Sequence, residues 1–178
     1  MKKTALTFGL IASAIIIFYS FIFYLIFGDV NTMTPGKMTV MEVFGYLRII
    51  TLIIAIFFAM KSLRKDPNNS TYMSVVKTGL MVALIVSVFI GIGETVYTAL
   101  NPGLYDKYGE MEIQSLQEKG VSPEGIAEER KMREDLRWMA NPVMAGIFCF
   151  LGIFVIGVIV ALILGIFLKA NTVAQARI

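Results

Sequence analysis

Residues 142–168 read PVMAGIFCFLGIFVIGVIVALILGIFL, a run without one charged side chain. A helix rises about 1.5 Å per residue, and the hydrocarbon core of a bilayer takes about 20 residues to cross. Backbone amides in lipid must pair within their own segment or in a closed barrel. The run shows no alternation of period two. It therefore reads as one membrane-spanning helix.

Working outward, three more runs have the same character. Leu6 to Phe27 is uncharged, Met38 to Met60 is broken by Glu42 and Arg48, and Val75 to Leu100 is broken by Lys77 and Glu94. The first run follows Met1-Lys2-Lys3, as a signal peptide would. A signal h-region runs about 7–15 residues and ends at a small-residue site. Ala12-Ser13-Ala14 comes too early for that, so an uncleaved first span is expected. The whole chain is 57% hydrophobic with a mean hydropathy of +0.74, against about 45–50% apolar in soluble domains. The expected fold is an all-α, single four-span membrane domain over residues 1–178. Its spans are about 6–27, 38–60, 75–100 and 142–168, with a polar segment at about 101–141.

Lysine and arginine orient the spans. One side would carry Lys2, Lys3, Lys61, Arg64, Lys65, Lys77, Lys169 and Arg177, opposed only by Asp66. The other would carry Asp29, Lys37 and segment 101–141, with nine acidic and six basic residues. Both termini are thus expected in the cytoplasm of a bacterium, the protein lying in its inner membrane. Tyr19, Tyr24, Tyr97, Tyr105 and Trp138 fall toward the outer interface, where amphipathic rings settle.

Segment 101–141 has a repeated grammar: Asn101-Pro102, Ser122-Pro123 and Asn141-Pro142. Asn or Ser caps a helix, and Pro suits its first position, where the missing N–H costs nothing. Gly120 suits a helix stop. An extracytoplasmic helical hairpin is expected, with helices at about 102–119 and 123–139. Tyr105, Tyr108, Glu112 and Leu116 would share one face of the first. Met132, Leu136 and Met139 have helical spacing in the second.

Helices in lipid associate through small residues that allow close approach. The third span has Gly79, Ala83, Ser87, Gly91, Thr95 and Ala99, one at every fourth position. The fourth has Gly157, Ala161 and Gly165, the first Ala5, Gly9 and Ser13, and the second Thr51, Ala55 and Ala59. A period of four drifts about 40° per step on a helix of 3.6 residues per turn. The third span is therefore expected to touch two neighbours and to sit centrally. The first and fourth stripes lie in one leaflet and are expected to pack together, with homodimerisation as a competing use.

Glu42, Arg48 and Glu94 are the charged groups inside spans. A charge at mid-bilayer costs about 2.5–3.5 kcal/mol on insertion scales, so such groups face the bundle interior and find partners. Glu94 lies about 9 Å inside the end of its span, and Arg48 at a similar depth. An Arg48–Glu94 pair is geometrically allowed, with Glu42 adding to it.

Catalytic constellations are missing. The chain has no histidine and one cysteine, Cys149. That removes the commonest general base and metal ligand, and a lone thiol makes neither a disulfide nor a metal site. There is no intramembrane Asp pair, no HExxH and no glycine-rich phosphate loop. No catalytic, cofactor or metal site is expected. The net charge of +3 is spread over loops, which argues against nucleic acid as a partner.

The chain resembles the bacterial membrane family catalogued as domain of unknown function 4199. The resemblance rests on Glu42-x-x-Gly45-Tyr46-Leu47, on Ile56-Phe57-Phe58 with Lys61-Ser62-x-Arg64, and on Glu94. It continues through Asp106-Lys107-Tyr108, Gly120-x-Ser122 and Asn141-Pro142. The family pattern often has a Thr-Phe-x-Glu-Ile-Phe-Pro stretch in the fourth span, where this chain has Cys149 to Val155 and no carboxylate. Gly93 stands where an aromatic often precedes the third-span Glu. The resemblance implies the fold and carries no activity. Two roles are therefore expected for the chain. The first is a non-enzymatic accessory or scaffold subunit presenting 101–141 to a membrane or periplasmic partner. The second is a small transporter or ligand binder using Glu42, Arg48 and Glu94.

Overall fold

The computed structural model describes residues 2–27, 34–64 and 71–175. They form six α-helices and a short 3-10 turn, with no strand among the described residues. The long helices are α1 (Lys2–Phe27), α2 (Pro35–Arg64), α3 (Tyr72–Leu100) and α6 (Pro142–Gln175). Between the last two lie α4 (Leu104–Glu118), α5 (Pro123–Asp135) and the turn Arg137–Ala140. Each long helix contains a stretch long and apolar enough to cross a membrane. The chain is a membrane protein. Asp29, Lys65, Asp66 and Arg177, used above for orientation, lie outside the described residues.

Helix α3 is the centre. It packs against α1, α2 and α6 rather than the expected two neighbours. Of its apolar window 56% is buried, against 17% for α6. Helix α2 also touches α1 and α6. The core consists of Leu52, Ile56 and Met60 of α2 with Val82, Ala83 and Val86 of α3, all fully buried. Small hydroxyls within it satisfy themselves. Ser13, Thr78 and Ser87 donate to the carbonyls of Gly9, Ser74 and Ala83 at 2.7–2.9 Å, the backbone return open to short side chains in helices.

The expected pairing of the α1 and α6 stripes is corrected. Those helices share no extensive contact among the described residues, because α3 stands between them. A Cβ on Gly9 would meet Ile85 of α3 at 3.0 Å. On Gly157 it would meet Ala83 at 2.5 Å, and on Gly165 it would meet Val76 at 2.5 Å, both in α3. Both stripes are spent on the one helix that offers small residues along most of its length. Gly79 is shared: its Cβ would meet Ala161 of α6 as well as Met60 and Ile56 of α2.

The caps around segment 101–141 follow the expected grammar at two of three places. Ser122 accepts from Gly125 N–H at 3.3 Å, and Asn141 Oδ1 accepts from Val143 N–H at 2.9 Å. Asn101 instead closes α3, its side-chain amide donating to the Tyr97 carbonyl at 2.8 Å. Gly103 then turns the chain into α4 with φ of +93°, a conformation that glycine adopts without steric cost. At the far end of α4, Gly120 has φ of +74°. Its N–H reaches Gln117 O, and that of Val121 reaches Leu116 O, which is a Schellman stop. The buried face of α4 is Leu104, Gly109 and Ile113, not the tyrosine stripe expected from spacing.

Candidate functional site

Two polar constructions stand out, one within the spans and one in segment 101–141. Within the spans, Arg48 of α2 and Glu94 of α3 form an ion pair at 3.1 Å. Their side chains are 30% and 25% exposed, so the pair is partly covered by the bundle. Glu42 lies on α2, but its side chain is outside the described residues. Around the pair stand Tyr19 of α1, beside Thr51 and Arg48, and Tyr97 of α3, beside Glu94 and Tyr108. Tyr97 meets the ring of Tyr24 edge-on at 6.0 Å. Cys149 of α6 is half-buried, with Glu94 and Arg48 as its charged neighbours.

The hydroxyls of Tyr19 and Tyr97 are both buried without a hydrogen bond of good geometry. A serine in a helix returns its proton to a carbonyl one turn back. A tyrosine hydroxyl stands too far from its own backbone for that, so its partner must come from elsewhere.

In segment 101–141, one arginine binds the two helices. Arg133 of α5 lies across Gly109 of α4, with Nη1 3.2 Å from where a Cβ would stand. Its guanidinium pairs with Glu112 of α4 and, through Nε at 3.1 Å, with Glu129 of its own helix. The Arg133 carbonyl accepts from the Tyr105 hydroxyl at 3.3 Å. Arg137 reaches Asp106 at 3.6 Å. Helix α5 buries none of its residues. Glu124, Glu128, Arg130, Lys131, Glu134 and Asp135 are all exposed, Arg130 and Glu134 toward the cleft between α4 and α5. Below, Trp138 packs against Phe148 of α6 at 5.6 Å between ring centres.

Two clefts flank this hairpin. One, about 430 Å³, lies at its base between α3 and α6 and is lined by Thr98, Tyr105, Tyr108 and Arg137, among others. The other, about 890 Å³, runs between α4 and α5. Neither Arg48 nor Glu94 lines them. No cluster of three metal-ligating side chains occurs among the described residues.

These features fall within a chain whose helices follow a shared pattern. The model of the family described as "Protein of unknown function (DUF4199)" matches residues 7–170. The chain belongs to that family. The match spans all four long helices and the hairpin of this DUF4199 protein. No curated protein and no solved structure matches it.

The structure therefore brings Arg48 and Glu94 together and sets Gly79, Ala83, Gly91, Gly157, Ala161 and Gly165 at or beside the α3 interfaces, with Gly9 on the α1 side. Ser87 is fully buried. Four features were not singled out from the sequence. Gly146 is the closest backbone approach: a Cβ there would collide with Thr95 and stand 2.6 Å from the Gly91 carbonyl. The fixed step of four, run back from Gly157, lands on Ile153 and Cys149 and passes it by. Gly146 lies eleven residues before Gly157, three turns of a real helix. Arg133 looked like one charge among many. Tyr19 and Tyr97 read as interface aromatics.

Proposed function

We propose that this DUF4199 protein is a non-enzymatic accessory or scaffold subunit of a bacterial inner membrane, with residues 101–141 presented outside the cytoplasm to a partner. The observation that carries this reading is α5. It buries no residue among its own neighbours, yet Arg133 holds it in one position against α4. A short isolated helix is marginal in water. Fixing one that leaves Glu124, Glu128, Lys131 and Asp135 exposed serves contact with something else. The distribution of bases supports the orientation. Lys2, Lys3, Lys61, Arg64 and Lys77 lie at the end away from the hairpin, and positive ends stay in the cytoplasm.

The test places a photo-crosslinking residue at Lys131 in native membranes. The expected result is a discrete adduct that disappears when Glu128, Arg130 and Glu134 are replaced by Ser. An adduct of twice the chain mass identifies a second copy as the partner. No adduct at Lys131 or at Glu124, with the protein folded, overturns the reading.

A second reading has its own observation. A buried tyrosine hydroxyl without a partner, that of Tyr97, and a second, that of Tyr19, with only Thr51 beside it flank an intramembrane ion pair, which suits a small transporter or ligand-binding site at Arg48, Glu94 and Glu42. Replacing Glu94 by Gln tests it: unchanged stability together with an unchanged cellular phenotype removes this reading.

A further inference from the structure

We propose that the Arg48–Glu94 cluster is a dead-end aqueous site, filled by water from the hairpin end only. It deepens the polar-site reading and rests on it. Deeper in the bundle, small hydroxyls find a partner in their own helix: Ser13, Thr78 and Ser87 donate to Gly9, Ser74 and Ala83. The Tyr97 hydroxyl has no partner, and that of Tyr19 has only the Thr51 side chain of α2 beside it, short of good hydrogen-bond geometry. Leaving such a group buried and unmet costs about 1–3 kcal/mol.

Water is the partner that fits. A buried water makes about three hydrogen bonds and needs several polar groups within reach. This cluster offers a carboxylate, a guanidinium, two phenols and the lone pairs of Thr51, whose own proton goes to the Leu47 carbonyl at 2.8 Å. The ion pair is self-neutralising, so the site does not select a bare anion or cation. It suits water and small neutral hydrogen-bonding solutes. Both charged side chains are only partly buried, so the protein leaves some of their polar atoms uncovered.

The route has a beginning and an end. Thr98, the residue after Tyr97, lines the cleft of about 430 Å³ at the hairpin base, and so does Asn101, whose side-chain amide donates to the Tyr97 carbonyl at 2.8 Å. From Tyr97 the polar groups continue to Glu94, Arg48, Tyr19 and Thr51. The next layer is Leu52, Ile56, Val82 and Val86, all fully buried, with Ile16 and Ile90 buried beside them. Apolar space of this kind stays dry. No unmet hydroxyl stands among the buried residues of that layer to carry a water chain further. The site therefore exchanges with one side of the membrane and does not conduct through it.

The test uses cysteine access in the full chain, reconstituted in vesicles with Cys149→Ala as background. Vesicle orientation is assigned by labelling Gln117→Cys. The probe is a cationic, membrane-impermeant methanethiosulfonate. Thiol reactivity follows ionisation and access, so Thr51→Cys should react at least about tenfold faster than Leu52→Cys from the hairpin side. From the opposite side the two should be equally slow. Fast reaction of Thr51→Cys from both sides overturns the dead end and leaves the polar-site reading standing. Equal slowness from both sides overturns the aqueous site, while the Glu94→Gln phenotype reads the polar-site reading separately. Stability of Tyr97→Phe is the second measurement. Loss of a water-bonded hydroxyl should lower Tm by about 2–4 °C, whereas loss of an unpartnered one should raise it. A raised Tm in both Tyr97→Phe and Tyr19→Phe overturns the proposal.

Discussion

Against α6, helix α3 brings backbone to backbone; against α1, it brings backbone to side chain. On the α6 flank, a Cβ on Gly146 would stand 2.6 Å from the Gly91 carbonyl, and one on Gly91 would stand 2.9 Å from the Gly146 carbonyl. On the α1 flank, a Cβ on Gly9 meets only the Ile85 side chain. The difference is one of compliance. A carbonyl in a helix ladder cannot retreat without moving the helix, whereas the outer carbons of Ile85 can turn and its Cβ, at 3.0 Å, has to give by only a few tenths of an ångström. Lipid supplies no hydrophobic drive between helices, so the close contact gains its strength from dispersion over short distances. The tight flank is therefore the fragile one.

The largest effect expected from breaking this contrast is at Gly146. Gly146→Ala should cost 3 kcal/mol or more, above the usual range of about 1–3 kcal/mol for overpacking, because both helices must part. The monodisperse fraction after detergent extraction measures it. Gly157→Ala, whose Cβ would stand 2.5 Å from that of Ala83, should cost about 1–3 kcal/mol. Ala83→Gly should restore most of it, and a double-mutant cycle in thermal melts reads that coupling. Glu94→Gln leaves Arg48 without its charge partner in a partly open site, for about 1–2 kcal/mol. The loss should be smaller in Glu94→Asp.

Two changes should sharpen the comparison by doing little to the bundle. Arg133→Ala removes the hairpin clasp; Glu112 is exposed but Arg133 and Glu129 are mostly covered, so about 1–2 kcal/mol of local hairpin stability is at stake. Amide exchange in α4 and α5 should rise while the spans keep their protection. Gly9→Ala should be the mildest. Alanine gains about 1 kcal/mol of helix propensity, which offsets the adjustment of Ile85, so the melting temperature should stay nearly constant. A large loss at Gly9 would show that α1 packs as rigidly as α6.

Much of this was legible in the residues. Four long uncharged or nearly uncharged runs leave helices as the only economical state in lipid. Ser122-Pro123 and Asn141-Pro142 marked two helix starts correctly because their caps are local hydrogen bonds. Asn101 was misassigned for the same reason that makes it versatile. Its amide can close the helix behind it as readily as open the one ahead, and the choice depends on where Gly103 turns the chain. Arg48 and Glu94 were legible as a pair because depth along each helix follows from residue count.

The helices, the spans among them and the depth of each charge follow from the residues alone, since all of these depend on rise per residue and on the cost of unpaired amides in lipid. Which helix faces which follows only from packing the four together. Four stripes of small residues admit several pairings of equal local quality. The packed bundle selects α3 as the shared partner and makes Gly146 its tightest contact. It also strands the hydroxyl of Tyr97 near the ion pair and leaves that of Tyr19 only Thr51. No reading of one helix at a time contains that result, because a hydrogen bond left unmade is a property of the neighbours a side chain is given.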